Sequence, residues 1–346
     1  MKQNNNRLKG VCVGAGYFSR FHLEAWSRIT EVEIVSICDI DTNKANLLAK
    51  EFDIPTIYTN VLEMIDLENP DFIDIITPPT THEYFCTLAI ERKIAIICQK
   101  PFTSSLSIAT GLVASAQENN VPLMVHENFR FQPWYRTIKK LLETQVIGDS
   151  IFNASFRMRT GDGCGKDAYL YRQPFFRNMP RLLVYETGIH FIDTFRYLFG
   201  NVKSVFAHLK HLNPHIVGED AGMIFFEFDN GTTALWDANR YNEPNYQDAR
   251  YTFGEMLIEG NSGSIRLYPN GGLTIQLLGT KEQTILYSHE QKNFAGDCVF
   301  MTQSHFIDSL LSGKQFETSG LDYLDNITIQ EAIYKSNQLK QVVLMT

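Results

Sequence analysis

Between residues 9 and 126, short apolar runs alternate with helix-like stretches, and this alternation limits the fold more than any other feature. The runs 9–13, 33–38, 72–76, 94–98 and 123–126 have the length and composition of buried strands. The stretches 19–27, 43–52, 80–92 and 104–118 read as the helices between them. Strands separated by crossover helices pair in parallel, and both faces of such a sheet are covered. Right-handed crossovers then make it doubly wound.

Beyond about Gly148 the pattern changes. Strand-like runs follow one another at 151–159, 202–209, 222–228, 232–238, 255–259, 264–268 and 273–278. Turn signals such as Asp229-Asn230-Gly231 and Pro269-Asn270-Gly271-Gly272 separate several of them. The reading is a large, mostly antiparallel open sheet, interrupted by a helix over 185–199 and followed by another over 321–339. With 346 residues the chain exceeds one ordinary core, so two domains are expected.

Composition removes several classes of function. Lys plus Arg is 31 against 39 Asp plus Glu, a formal charge of −8, which lacks the basic footprint of a nucleic-acid binder. It also gives no attraction to anionic membranes. No apolar run approaches the ~20 residues that span a bilayer. The start, 1–9, is polar and has no apolar signal core, and Asn4-Asn5-Asn6 is the one low-complexity spot. A cytoplasmic location follows. Cys12, Cys38, Cys86 and Cys98 fall in apolar runs and read as buried thiols, and no CxxC pair exists.

Gly14-Ala15-Gly16-Tyr17-Phe18-Ser19 follows a strand and opens a helix. In that context Gly14 permits the tight turn and Gly16 lets the backbone approach a pyrophosphate, which the helix N-terminus then binds. Ser19 stands where a third glycine is usual and is small enough for close packing. Asp39 closes the second strand about 20 residues further on, where a carboxylate accepts both ribose hydroxyls and repels a 2′-phosphate. This favours NAD over NADP, although Lys44 nearby leaves NADP open. The N-terminal domain, 1–127, is thus expected to be a dinucleotide-binding Rossmann domain. Residues 128–346 are expected to form the second domain, with the C-terminal helix packing back on the first.

Two further groups carry chemistry. Lys100, in Gln99-Lys100-Pro101, follows a strand, and ligands of open α/β sheets bind beyond the carboxyl ends of strands. There it can hydrogen-bond a substrate hydroxyl and stabilise alkoxide character. Glu186 and His190 are four apart, which puts them on one helical face. Such a pair can orient a hydroxyl and carry its proton. A capping or structural role for the pair stays open. His208, His211 and His215 lack an acidic or cysteine partner at metal-site spacing, so no metal is expected. Tyr169, Tyr171, Phe175 and Phe176 lie in a long loop with Arg172 and Gln173, a mixture that suits the rim of a sugar site. Phe129 and Phe131 read as core residues flanking Arg130.

Together these elements resemble the glucose–fructose oxidoreductase / inositol dehydrogenase / rhizopine catabolism (Gfo/Idh/MocA) family over nearly the whole chain. The resemblance rests on the Gly14 loop, Thr77-Pro78-Pro79-Thr80-Thr81-His82, Gln99-Lys100-Pro101 and Asn128-Phe129-Arg130-Phe131. Gly188-Ile189-His190-Phe191-Ile192-Asp193 and Ile329-Gln330-Glu331-Ala332-Ile333-Tyr334-Lys335-Ser336 complete it. It implies Lys100 as the catalytic lysine, His190 as the acid/base and Glu186 at a position where Asp is usual. It also implies Gln99 in place of a usual Glu. Gly14, Gly16, Tyr17, Phe18, Ser19, Asp39, Thr77, Pro78, His82, Gln99 and Asn128 would hold the cofactor. Lys100, Arg130, Arg172, Gln173, Glu186 and His190 would face a sugar or polyol, with Asn128 helping to position it, and the C-terminal sheet would join a homodimer or homotetramer. Arg159-Thr160-Gly161, Gln173-Pro174-Phe175 and the run from Asn213 to Asp220 resemble the D-apiose dehydrogenase-like subgroup, which oxidises an anomeric carbon to a lactone. Two other readings stay open. One is an NAD-retaining glycoside hydrolase or lyase working by transient internal oxidation, and the other is a non-enzymatic dinucleotide-responsive binding protein.

Overall fold

The computed structural model describes residues 7–345, so the polar run 1–6 lies outside the described residues. It divides into two compact units. One comprises the residues up to Asn128 with Val299–Asp325, and the other Phe129–Cys298 with the residues from Asn326 on.

The first unit alternates strand and helix. Its elements are β1 (Leu8–Val13), α1 (Ser19–Ser27), β2 (Val32–Cys38), α2 (Thr42–Glu51), β3 (Thr56–Tyr58), α3 (Val61–Glu68), β4 (Phe72–Ile75), α4 (His82–Glu91), β5 (Ala95–Gln99), α5 (Leu106–Glu118) and β6 (Leu123–His126). The six strands lie in the order β3-β2-β1-β4-β5-β6, every pair parallel. That is the dinucleotide-binding order, in which the chain turns back at β1 and the loops after β1, β4 and β5 leave from one edge. Strand β3 and helix α3 go beyond the sequence reading. Three residues are too few to show a period, and α3 is defined by its ends: the Asn60 side chain accepts from Leu62 and Glu63 N–H, and left-handed Asn69 stops it. Helix α4 begins later than expected because Pro79–Thr81 forms a separate 3-10 turn.

The central strands bury Val11, Cys12, Ile73, Ile75, Ile96 and Ile97 completely or nearly so, and a fully buried Asp74 sits among them. The later segment completes this unit. Phe306 packs edge-on to Phe72 at 5.6 Å between centroids, and in β6 the Val125 N–H donates to the Thr318 carbonyl while the Thr318 hydroxyl donates to the Val125 carbonyl.

The second unit holds α6 (Pro133–Glu143), β7 (Ile151–Arg159), α7 (Ile189–Phe199), β8 (Val202–Lys210), β9 (Ala221–Phe228), β10 (Thr233–Asn239), β11 (Glu255–Gly260), β12 (Gly263–Leu267), β13 (Leu273–Leu277) and β14 (Gln283–Ile285). Helices α8 (Cys298–Ser312) and α9 (Gly320–Leu339) and strand β15 (Val343–Leu344) follow in the chain. The nine-stranded sheet runs β14-β13-β12-β11-β7-β10-β9-β8-β15, with β7 and β10 parallel and the other pairs antiparallel.

Alternation along its strands points Phe156, Ile224, Phe226, Ala234, Trp236 and Ile258 to one buried face. Helix α7 lies on that face: Phe191 meets Phe156 at 4.5 Å and stacks on Trp236 at 5.1 Å, while Phe195 meets Phe226 at 5.4 Å. The stretch expected to be one helix from 185 starts differently, with a π-turn over Leu183–Gly188 that becomes α-helical only at Ile189. Gly188 lies flat on Trp236, where a Cβ would come within 2.9 Å of the indole, so close packing selects glycine here. Among the described residues no helix is long and apolar enough to cross a membrane.

Phe191 is fully buried and bridges α7 to two strands. Phe191→Ala is expected to lower unfolding free energy by about 3–5 kcal/mol, read from urea denaturation of the whole chain.

Candidate active site

The glycine loop lies between β1 and α1. Gly14 has φ +106°, and a Cβ there would come within 2.6 Å of the Ile76 carbonyl oxygen, so both conformation and space demand glycine. Around Gly16 nothing lies within 4 Å of a would-be Cβ, and the backbone is open to an approaching ligand. No side chain caps the N-terminus of α1 and no acid sits in its first turn. Its positive dipole end is therefore compatible with an anion. Ser19 is buried, its Oγ without a partner among the described residues.

Asp39 braces the loop, accepting from Ala15 N–H at 2.6 Å and from Asp41 N–H at 2.8 Å. A carboxylate has about four acceptor positions, so two ribose hydroxyls can still be taken. Asn128 is buried with Oδ1 lacking a partner among the described residues, an acceptor that suits a ligand amide or hydroxyl. A loop open at Gly16, an uncapped helix end, a carboxylate at the β2 terminus and an orphaned buried acceptor fit a dinucleotide.

Thr77 and Pro78 follow β4, where Thr77 Oγ1 accepts from Thr81 Oγ1 at 2.7 Å. His82 is buried, and its Nδ1 and Nε2 lie 2.9 Å and 2.8 Å from the carbonyl oxygens of Phe102 and Thr77. It thereby ties the loop after β4 to the loop after β5. Burial lowers its pKa against the raising effect of those carbonyls. Gln99 is buried at the end of β5, and Lys100 next to it is half-buried. The Gln99 amide joins the Lys100 backbone to His22, a residue that the sequence reading assigned no role.

In the second unit His190 is buried at the start of α7, and its ring stacks on Phe129 with centroids 3.8 Å apart and planes 5° from parallel. The imidazole plane is therefore set by packing. Phe129 is buried as expected, but it does more than fill the core.

Arg130 holds Asp193 through Nε at 2.7 Å and Nη2 at 2.6 Å, and Asn326 donates to the same carboxylate at 2.8 Å. Both Arg130 and Asp193 are buried, which is the geometry of a two-pronged structural ion pair beneath α7.

Glu186 lies in the π-turn, where its carboxylate accepts from Thr187 Oγ1 at 2.7 Å and from Arg240 at 3.3 Å. Arg240 is the residue that sequence reasoning missed. It is buried and donates to Asp162 at 2.7 Å and to Thr187 Oγ1 at 2.8 Å, with its guanidinium 5.1 Å from the centre of the Tyr169 ring. Arg172 joins Asp162 at 2.8 Å, and Gln173 is half-buried on the same loop. Burial pushes the Asp162 carboxyl up, but Arg240, Thr160 and Arg172 outweigh it and hold the group below its ordinary value. The aromatic loop divides: Tyr169 and Phe176 are buried packing residues, whereas Tyr171 and Phe175 are exposed. Asp162 and Arg240 stand at a loop and a strand end with no motif around them, so only tertiary contact reveals them. The described residues contain no group of three or more His, Cys, Asp or Glu able to hold a metal ion.

Residues 8–127 match the oxidoreductase family with an NAD-binding Rossmann fold (GFO_IDH_MocA), and residues 135–266 match its C-terminal domain. A D-apiose dehydrogenase of Paraburkholderia graminis is 34% identical over 95% of this chain and 88% of that protein. The chain belongs to the Gfo/Idh/MocA oxidoreductase family. A D-apiose dehydrogenase of Rhizobium rhizogenes is 32% identical over 96% of both chains. An oxidoreductase from Agrobacterium radiobacter, solved in complex with NAD+, L-tartaric acid and magnesium, has TM-score 0.89 at 30% identity and covers 98% of each chain. The chain is thus an NAD-dependent oxidoreductase, with a parallel Rossmann sheet and a mostly antiparallel second sheet as read from its sequence.

The Arg240 cluster yields a pH-dependent expectation. Arg240→Met leaves the Asp162 and Glu186 carboxylates without their buried cation, and unfolding at neutral pH should lose about 3–5 kcal/mol. Because the folded Asp162 pKa is depressed, its stabilisation is present above the unfolded value and is lost as pH falls through the folded one. The gap between wild type and variant should therefore narrow below about pH 4, checked by denaturant unfolding at both pH values.

Proposed function

We propose that this chain oxidises a neutral sugar, at the anomeric carbon of a pentose such as D-apiose, to the corresponding lactone. Similarity to two D-apiose dehydrogenases along 95% and 96% of the chain carries this reading. The electrostatics of the second unit support it over an acid substrate. Arg240 and Arg172 pair with Asp162, Arg240 also reaches Glu186, and Arg130 pairs with Asp193, so these guanidiniums already have carboxylate partners.

NAD, when bound, accepts the hydride that leaves the carbinol carbon. His190, its plane set by Phe129, takes the hydroxyl proton. Lys100 hydrogen-bonds the carbinol oxygen and stabilises its growing negative charge. Glu186, held by Arg240 and Thr187, accepts from a sugar hydroxyl, and Arg172, Gln173 and Asn128 complete the recognition. Arg130 serves through Asp193 by fixing α7. Gly14, Gly16, Tyr17, Phe18, Ser19, Asp39, Thr77, Pro78 and Asn128 hold NAD, while Gln99 and His82 hold the loops that carry Lys100 and Thr77. The buried thiols Cys12, Cys38, Cys86, Cys98 and Cys298 suit a reducing, cytoplasmic compartment.

The outer face of the nine-stranded sheet carries half-exposed Phe206, Met223 and Phe225, with Phe206 directly opposite Phe225 and Phe225 opposite Leu235. An apolar row of this kind on a solvated sheet suits burial against a second copy, giving a homodimer or homotetramer. Phe225→Glu should shift light-scattering mass toward the monomer, and an unchanged mass would remove this face from the interface.

Purified chain with NAD and D-apiose should accumulate reduced nicotinamide, and Lys100→Met should slow it by about two to four orders of magnitude. Near-normal turnover in the variant would remove Lys100 from the chemistry. Cleavage of a glycoside without net NADH would instead favour internal oxidation.

A further inference from the structure

A buried chain of hydrogen bonds runs through the first unit to Lys100. Asp74 Oδ2 lies 2.7 Å from Trp26 Nε1 and 2.8 Å from His22 Nδ1. His22 Nε2 lies 2.9 Å from Gln99 Nε2, and Gln99 Oε1 accepts from the Lys100 backbone N–H at 2.7 Å. His22, Asp74 and Gln99 are all buried.

The direction of every bond in this chain is settled by its ends. The Lys100 backbone N–H can only donate, so the amide atom facing it is the carbonyl oxygen. The other end of the Gln99 amide is then NH2, which also only donates. His22 Nε2 must accept and carries no proton. A neutral imidazole with a bare Nε2 has its proton on Nδ1, which donates to Asp74. At the far end the Trp26 indole N–H is a donor only, so Asp74 Oδ2 accepts there too. The Gln99 end demands the neutral Nδ1–H form of His22, and the Asp74 end is compatible with it.

We propose that Asp74, His22 and Gln99 are positioning residues that fix the backbone at Lys100, and that the neutral form of His22 is the reason an amide stands at residue 99. A carboxylate at 99 would still accept from the Lys100 N–H. Its other oxygen would confront the bare Nε2 at the present 2.9 Å spacing, lone pair against lone pair. The arrangement closes only when an extra proton is held between the two groups. That proton would make His22 an imidazolium between two carboxylates, residue 99 and Asp74 on β4. The other groups facing it are His126, stacked on His22 at 4.1 Å, and the thiols Cys12 and Cys98, whose pKa burial pushes well up, with the Asp74 charge adding to both and Cys86 to the second.

The positioning role rests on the reading of Lys100 as catalytic, whereas the tautomer does not. The test therefore has two readouts. Whole chain carrying 15N-histidine is examined by NMR, with the His22 signals assigned by their loss in His22→Asn. In the wild type Nδ1 should be protonated and Nε2 bare at neutral pH. Gln99→Glu should show both nitrogens protonated at low pH and lose one proton as pH rises.

Its kcat should fall about tenfold or more across the same midpoint, with the KM for NAD moving far less, because a displaced Lys100 is felt in the transition state. Gln99→Met should lose kcat equally at all pH values. A wild-type His22 protonated at Nε2 overturns the chain of bonds. A Gln99→Glu enzyme whose kcat loss does not follow the His22 titration, or a Gln99→Met enzyme with normal kcat, overturns the positioning role. Where Gln99→Glu does not accumulate, the wild-type tautomer and Gln99→Met decide the two points. If no sugar is oxidised by the wild type, the proposed function fails while the NMR result still stands or falls alone.

Discussion

A parallel sheet covered on both faces leaves its polar chemistry to the edge where its strands end, and the first unit is organised by that constraint. Its strand interiors are apolar because they have no solvated side. Gly14, Asp39, Thr77, Gln99 and Lys100 all stand just at or beyond the carboxyl ends of β1, β2, β4 and β5. Asp74 is the exception, a carboxylate within β4 that is fully buried. It is tolerated because Trp26 and His22 both donate to it, and an unpartnered charge at that depth would be strongly unfavourable. The same bonds orient the Gln99 amide, so this buried carboxylate is connected to the polar groups at the rim of the sheet.

The second unit solves a different problem. Its sheet covers one face with α7, and the aromatic contacts of Phe191 and Phe195 place that helix. His190 then inherits its position from the helix and its plane from Phe129. Asp193 on the next turn is gripped by Arg130 and Asn326, which resists any rotation of the helix about its axis. Glu186 is held from another side, by Arg240 reaching across from the end of β10. Packing and ion pairing thus act on the same short segment and hold the His190 imidazole in one orientation.

Much of this was legible before any coordinates. Short apolar runs and turn residues located most strands, and the Gly14 loop with Asp39 announced a dinucleotide site, because these features are local. Short elements such as β3, β14 and β15 were not legible, since two or three residues carry no period. The π-turn at Leu183–Gly188 was read as ordinary helix because its hydrophobic pattern differs little from an α-helix over one turn. Asp74 within a buried strand and His22 in α1 belong to no local motif, so their pairing is visible only in the fold.

The sequence by itself determined the alternating architecture of the first unit, the antiparallel character of the second, the cofactor class and the family. These depend on backbone conformation and on hydrophobic period, which neighbouring residues impose on one another. Tertiary structure alone decided that Arg130 belongs to Asp193, that Arg240 holds Asp162 and Glu186, that Phe129 sets the His190 ring, and that His22 stands between Asp74 and Gln99. Each of these joins residues tens of positions apart, 63 in the case of Arg130 and Asp193. Hydrogen-bond direction and ring stacking depend on distances of a few ångströms in space, and separation along the chain carries no record of them.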